Sequence, residues 1–123
     1  MKRVLLFLLL SVLGLSAADF SGRWAGELRA TKSEAQRPNP DTHFLRLEQN
    51  GDTVTGTAGA MREAQFDIQT VKLDGSRLTF EIMIEGPGIR VAYDLVLSGD
   101  TITGTIVSKQ GPALEGTLTF KRE

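Results

Sequence analysis

Apolar and polar residues alternate along most of the chain after residue 19, and no stretch keeps the period of an amphipathic helix. Alternation with a period of two is typical of strands that bury one face. Turn residues separate the alternating segments at regular intervals, which indicates a β-sandwich or a β-barrel. The pattern predicts eight strands, over Gly22–Arg29, His43–Gln49, Thr53–Ala60, Gln65–Lys72, Arg77–Ile84, Ile89–Leu97, Thr101–Ser108 and Leu114–Lys121.

Three tight hairpin turns are predicted, because a glycine that adopts positive φ without steric cost lies at the centre of each. They are centred on Gly51, Gly75 and Gly99, and the segments Leu47–Thr57 and Leu95–Thr105 are similar in sequence. Alternate turns of an up-and-down meander fall at the same end, which we call the regular end. The opposite, irregular end carries longer connections, where function is most often located: Ala30–Thr42, Met61–Ala64, Glu85–Gly88 and Lys109–Ala113.

One face of the predicted strands is consistently more apolar than the other, as in antiparallel sheets with one buried face. Repeated hairpins without a long crossover favour an eight-stranded antiparallel up-and-down β-barrel over a Greek-key sandwich. The inward residues are Trp24, Leu28, Leu45, Leu47, Val54, Ala58, Phe66, Ile68, Leu78, Phe80, Ile82, Ile84, Val91, Tyr93, Leu95, Leu97, Ile102, Ile106, Leu114, Leu118 and Phe120. Apolar residues with outward parity, which would favour association if contiguous, are Phe44, Val71, Leu73, Met83, Val96 and Val107. We therefore expect a monomer or a weak dimer.

Four glycines share the inward parity: Gly26, Gly56, Gly104 and Gly116. Glycine inside a strand usually marks a bend or a close approach of another backbone. Two interpretations follow. The glycines let the strands coil enough to close a small barrel, or they leave internal volume for a ligand.

The first residues have the order of a cleavable secretory signal peptide. Lys2 and Arg3 precede the apolar run Val4–Leu15, and small residues follow at Ser16–Ala18. The run is shorter than the roughly 20 apolar residues that span a bilayer, which favours cleavage over the alternative, an uncleaved anchor. The sequence thus predicts a signal peptide over residues 1–18, one barrel domain over residues 19–123, no membrane anchor after cleavage, and a periplasmic or secreted location.

Composition narrows the classes of function. Removal of Lys2 and Arg3 from 14 basic residues leaves 12 against 15 acidic ones, a net charge of −3 for the mature domain, so we expect no nucleic-acid partner. The chain has no cysteine and one histidine. No zinc-ligand spacing and no nucleophile with a base and an orienting group are evident. We expect no metal, no cofactor and no enzymatic activity.

The first strand opens with Gly22-Arg23-Trp24, and this Gly-x-Trp resembles the calycin superfamily of lipocalins, fatty-acid-binding proteins and avidins. The resemblance implies that Trp24 plugs the closed base of the barrel and that a basic residue of the last strand packs across it. Arg122 has the inward parity of its strand and would form this cation–π pair. The domain is shorter than a typical lipocalin and shows no C-terminal helix. Residues by which avidins hold biotin have no clear counterpart, so biotin is not inferred.

These observations predict an exported lipocalin-like barrel that binds a small apolar or amphipathic molecule in its interior. Phe66, Phe80, Ile82 and Tyr93 would form the wall of the pocket, and His43 would lie at its mouth. His43 could instead be a loop-edge histidine in contact with solvent, and Tyr93 a core residue. The alternative function is a solid barrel that acts as a protein-binding module or inhibitor through its irregular-end loops.

Overall fold

The computed structural model describes residues 19–84 and 88–123, so the predicted signal peptide and residues 85–87 lie outside the described residues. The described residues form nine strands in succession along the chain. They are β1 Gly22–Ser33, β2 Asp41–Asn50, β3 Thr53–Met61, β4 Ala64–Asp67, β5 Gln69–Asp74, β6 Arg77–Ile84, β7 Ile89–Ser98, β8 Thr101–Gln110 and β9 Leu114–Arg122.

The strands form one antiparallel sheet in the order β4-β3-β2-β1-β9-β8-β7-β6-β5. The first and last strands of the chain pair with each other, and every other neighbour in the order is also a neighbour along the chain. This arrangement is an up-and-down barrel, and the predicted all-β antiparallel architecture is confirmed. The predicted number of eight strands is wrong, because the described residues form nine.

The extra strand arises from a bend at Ile68, which divides the predicted strand Gln65–Lys72 in two. β4 pairs with β3, whereas β5 pairs with β6. Thr70 has a φ of 54°, and the Ile68 N–H donates a hydrogen bond to the Gly56 carbonyl at 3.0 Å. The bend carries the chain from one edge of the sheet to the other and so brings the barrel close to closure.

The bend also reverses which side chains of β5 face inward. Val71 and Leu73 pack against the core, and Leu73 lies opposite the buried Leu78. Their predicted outward orientation is therefore wrong. Strict alternation holds only along an uninterrupted strand, and one residue outside the extended conformation shifts every later side chain to the other face.

The barrel interior is filled mainly by the predicted inward residues. The core is Phe20, Trp24, Leu28, Leu45, Leu47, Val54, Ala58, Leu78, Phe80, Ile82, Val91, Tyr93, Leu95, Leu97, Ile102, Ile106, Leu118 and Phe120, with Phe66, Ile68, Ile84 and Leu114 only partly buried against it. Phe20, which precedes the first predicted strand, also belongs to the core although it was not among the predicted inward residues. Each large apolar side chain of the core stabilises the fold by about 1.5–3 kcal/mol when fully buried.

The predicted outward apolar residues do not form one patch. Val96 and Val107 are exposed, but Val96 lies beside Thr103 and Val107 beside Ala92. They therefore belong to different cross-strand rows. Phe44 and Met83 are half-buried.

The hairpins at the regular end are confirmed as two-residue turns. Gly51, Gly75 and Gly99 have φ values of 66°, 62° and 61°, as the first central position of a type II′ turn requires. The sequence repeat is also a structural one. Leu47 lies opposite Gly56 just as Leu95 lies opposite Gly104.

The inward glycines are required where neighbouring strands approach closely. A Cβ added to Gly104 would lie 2.1 Å from the Asp94 carbonyl oxygen, and one added to Gly56 would lie 2.0 Å from that of Arg46. The missing side chains therefore make room for adjacent backbone rather than for a ligand. This supports the interpretation that the glycines let the strands coil.

Candidate functional site

The regular end of the barrel is closed by Trp24, which is fully buried. Its indole N–H donates to the Phe20 carbonyl at 2.9 Å. The Arg122 guanidinium lies 4.3 Å from the centre of the Trp24 ring and also donates to the Asp100 carboxylate at 3.0 Å and to the Ser21 carbonyl. This end is a plug, and a ligand has to be sought elsewhere.

A histidine–tyrosine pair lies inside the barrel. His43 on β2 and Tyr93 on β7 are distant in sequence, and closure of the barrel brings His43 Nε2 within 2.6 Å of the Tyr93 hydroxyl. His43 is only 5% exposed. Burial lowers the pKa of His43 to about 4 and raises the pKa of Tyr93, because desolvation disfavours the charged form of each. Both groups are neutral at pH 7.

The direction of this hydrogen bond depends on which ring nitrogen of His43 carries the proton, because a neutral imidazole has one donor and one acceptor nitrogen. The Thr42 backbone raises the pKa of His43, against the larger effect of burial. Nδ1 is buried and has no hydrogen-bond partner among the described residues.

Aromatic rings surround this pair and fill the barrel at the same level. Phe80 stacks on Tyr93 with ring centres 4.6 Å apart, and the Phe120 ring centre lies 6.1 Å from that of His43. Ile82 is buried two residues beyond Phe80 on β6, whereas Phe66 on β4 is only partly buried. Four of the five predicted ligand residues are therefore buried in the core, and Phe66 packs against its margin.

The connection between β1 and β2, residues 34–40, covers the irregular end, and we call it the mouth loop. The Asn39 side chain holds both backbone groups of Ala30: its Nδ2 donates to the carbonyl at 3.0 Å, and its Oδ1 accepts from the N–H at 3.1 Å. The Glu34 N–H donates to the Ala113 carbonyl at 2.9 Å, and the Glu34 carboxylate accepts from the Ala113 N–H. The loop is thus fastened to β1 and to the β8–β9 connection.

Arg37 of this loop is partly buried at the irregular end. Its side chain is 26% exposed, and Nη1 lies 3.6 Å from the Asp41 carboxylate. Its charge lowers the pKa of both His43 and Tyr93, whereas Asp41 raises that of His43. The Nε atom is buried without a hydrogen-bond partner in the part of the chain that the structure describes.

Beneath the mouth loop lies a cavity of about 90 Å³ with mostly apolar walls. Ordinary ligand pockets are about 300–1,000 Å³, so the closed loop leaves room for only part of a ligand. The residues that line the cavity are Ser33, Ala35, Arg37, Ile84, Ile89, Val91, Ser108, Pro112, Ala113 and Leu114.

The sequence did not single out Arg37 as a site residue. It lies in the predicted long connection Ala30–Thr42, but no local pattern distinguishes it from the other polar residues there. Its position depends on how the mouth loop folds back over the barrel. Within residues 19–84 and 88–123 the structure contains no helix long and apolar enough to cross a membrane. The same residues include no group of three or more His, Asp or Glu side chains suited to a metal ion.

Comparison with known proteins gives a likeness of fold. No protein-family model matches the chain, and no curated protein sequence matches it. The crystal structure of a secretory abundant heat soluble (SAHS) protein from Ramazzottius varieornatus, obtained from a dimer sample, is similar with a TM-score of 0.50. Sequence identity is 11%, and the alignment covers 85% of this chain and 95% of that chain. Together with the strand order, the likeness shows that this chain has a calycin-like, lipocalin-like β-barrel fold.

Proposed function

We propose that this chain is an exported lipocalin-like barrel that binds one small amphipathic molecule at its irregular end. The observation that carries the proposal is a pair of buried polar atoms, Arg37 Nε and His43 Nδ1, with no hydrogen-bond partner among the described residues. A buried polar group left unpaired costs about 1–3 kcal/mol. Arg37 Nε carries a proton, so the polar end of the ligand includes a hydrogen-bond acceptor.

The apolar part of the ligand would lie against Ile84, Ile89 and Leu114, which line the cavity under the mouth loop. That cavity has the volume of about three waters, so a longer molecule enters only when the mouth loop moves outward. The interior wall of Phe80, Ile82 and Tyr93 stays packed, and the ligand is held at the mouth rather than deep in the barrel.

The proposed activity is binding without catalysis, metal or cofactor. The proposed exported location, periplasmic or secreted, depends on the signal-like order of Lys2–Ala18. A carrier of amphipathic molecules suits that location because such molecules are poorly soluble outside a membrane.

The proposal is tested by calorimetric titration of residues 19–123 with 1-octanol and with sodium octanoate, which share a chain and differ in the charge of the polar end. We expect saturable binding of at least one of them. Ala113→Leu, which fills the cavity, should weaken it, whereas Ala92→Leu on the outside of β7 should not. The proposal fails if neither compound binds and organic extracts of the exported protein contain no ligand by mass spectrometry.

The second candidate is a protein-binding module, and the filled interior favours it. The mouth loop and the end of β1 line an open, largely polar groove with a volume of about 700 Å³. An exposed loop fastened to a solid barrel suits recognition of another protein. A specific partner captured from envelope extract, and lost when the mouth loop is shortened, would support this function and contradict the first.

A further inference from the structure

The outer face of the barrel carries two arginines directly opposite each other. Arg23 on β1 pairs in register with Arg46 on β2, and both are exposed. Like charges at directly opposed positions of an antiparallel pair are destabilising. Within the described residues, neither arginine forms an ion pair with a carboxylate. The pair therefore concentrates positive charge without a direct ion pair.

A third arginine reaches the same place from the β3–β4 connection. The Arg62 guanidinium lies 4.4 Å from the centre of the Phe44 ring and binds both carboxylate oxygens of Glu123, at 2.8 and 2.5 Å. This two-pronged geometry is the one by which arginine recognises carboxylate and phosphate groups. Arg62, and to a smaller extent Arg23, hold the pKa of the Glu123 carboxyl below its ordinary value.

The three arginines border one small depression of about 80 Å³, together with Phe44, Leu45, Gln65 and Glu123. Its volume is that of two or three waters, which is the size class of a single phosphate or sulfate group. Gln65 is held in place because its amide nitrogen donates to the Met61 carbonyl at 2.7 Å. The depression is thus lined by three arginines and by a hydrogen-bonded Gln65, and Glu123 occupies one side of it.

We propose that Arg23, Arg46 and Arg62 form a binding site for a phosphate or sulfate group, with the Glu123 carboxylate as a built-in competitor. The incoming oxyanion would take the place of Glu123 on Arg62 and neutralise the opposed pair Arg23 and Arg46. The site lies on the outside of β1 and β2, shares no residue with the lining of the cavity under the mouth loop, and does not depend on the ligand proposed there.

The test is a calorimetric titration of residues 19–123 with sodium phosphate and with sodium sulfate, at an ionic strength held constant with sodium chloride because salt screens exposed charges. Arg46→Gln removes one guanidinium and should weaken binding about fivefold. Glu123→Gln removes the competing charge and should strengthen it about threefold. Arg77→Gln, on the outer face of β6 and paired with Asp94, is the matched control and should leave the affinity unchanged.

Folding of each variant is checked by near-ultraviolet circular dichroism. Arg46→Gln removes a repulsion with Arg23 and leaves the core contacts in place, so the variant should fold. Saturable binding that depends on Arg46 but not on Arg77 supports the site. Absence of saturable binding, or equal losses in the Arg46 and Arg77 variants, overturns it. Unchanged or weaker binding by Glu123→Gln overturns the role of Glu123 as a competitor.

Discussion

Acidification should destabilise the protein through His43. The pKa of this side chain is about 4 in the folded protein and 6.5 in the unfolded chain. At pH 5.0 the unfolded chain is about 97% protonated at this residue and the folded protein about 9%. The unfolded state binds more protons throughout this window, so stability rises with pH from about 4 to 6.5 and is lost on acidification. Between pH 7.5 and 5.0 the loss is about 2 kcal/mol.

The assay is urea unfolding followed by the fluorescence of Trp24, the single tryptophan, which is fully buried when folded. The matched variant carries both His43→Phe and Tyr93→Phe, because removal of both partners leaves no unpaired polar group behind. Carboxylates titrate in both proteins, so the difference between the two pH profiles isolates the histidine. The wild type should lose about 2 kcal/mol more than the double variant between pH 7.5 and 5.0.

A direct measurement provides the control. As the only histidine, His43 gives unique imidazole signals in an NMR titration, and its midpoint should fall near pH 4. A midpoint near 6.5, or equal pH dependence of stability in the wild type and the double variant, would refute the inference that His43 is buried in its neutral form.

Three further outcomes follow from single contacts. Gly104→Ala, whose Cβ would lie 2.1 Å from a backbone oxygen, should lower the free energy of unfolding in urea by about 3 kcal/mol. Gly99→Ala, with open space around it but a φ of 61°, should lower it by only about 1 kcal/mol, and equal losses would contradict the close approach at Gly104. Arg122→Ala should lower the free energy of unfolding by about 2 kcal/mol and move the emission of Trp24 to longer wavelength, and unchanged emission would argue against the stacked pair. Asn39→Ala should speed hydrogen exchange at the adjoining end of β1 about fivefold without altering global unfolding, whereas unchanged exchange would show that the mouth loop is fastened by other contacts.

Much of the barrel could be predicted from local pattern. Strand positions, the three tight turns and most inward residues follow from period-two alternation and from glycine at turn centres. The bend at Ile68 was missed, although the apolar positions change there from even numbers, Phe66 and Ile68, to odd numbers, Val71 and Leu73. Treating residues 65–72 as one strand therefore gave Val71 and Leu73 the wrong orientation. The change of pairing partner from β3 to β6 is a long-range feature that this local pattern does not specify.

Much less of the candidate site could be predicted. The alternation pattern predicted that His43 and Tyr93 each face inward, but it did not predict their contact. Their hydrogen bond joins strands that are far apart in sequence. The position of Arg37 depends on the path of the mouth loop, which the Asn39 and Glu34 side chains fasten to other segments. The group of Arg23, Arg46 and Arg62 likewise depends on the register between β1 and β2 and on where the β3–β4 connection lies.

The sequence by itself determined most of the strands, the face that most of them bury and the regular end with its glycine turns, because these depend on steric preferences and alternation over a few neighbouring residues. Only the tertiary structure decided where the barrel closes, how full its interior is, and which charged and polar groups meet at the mouth and on the outer face. Those features depend on contacts between residues distant along the chain, whose geometry is set by packing and register rather than by local pattern.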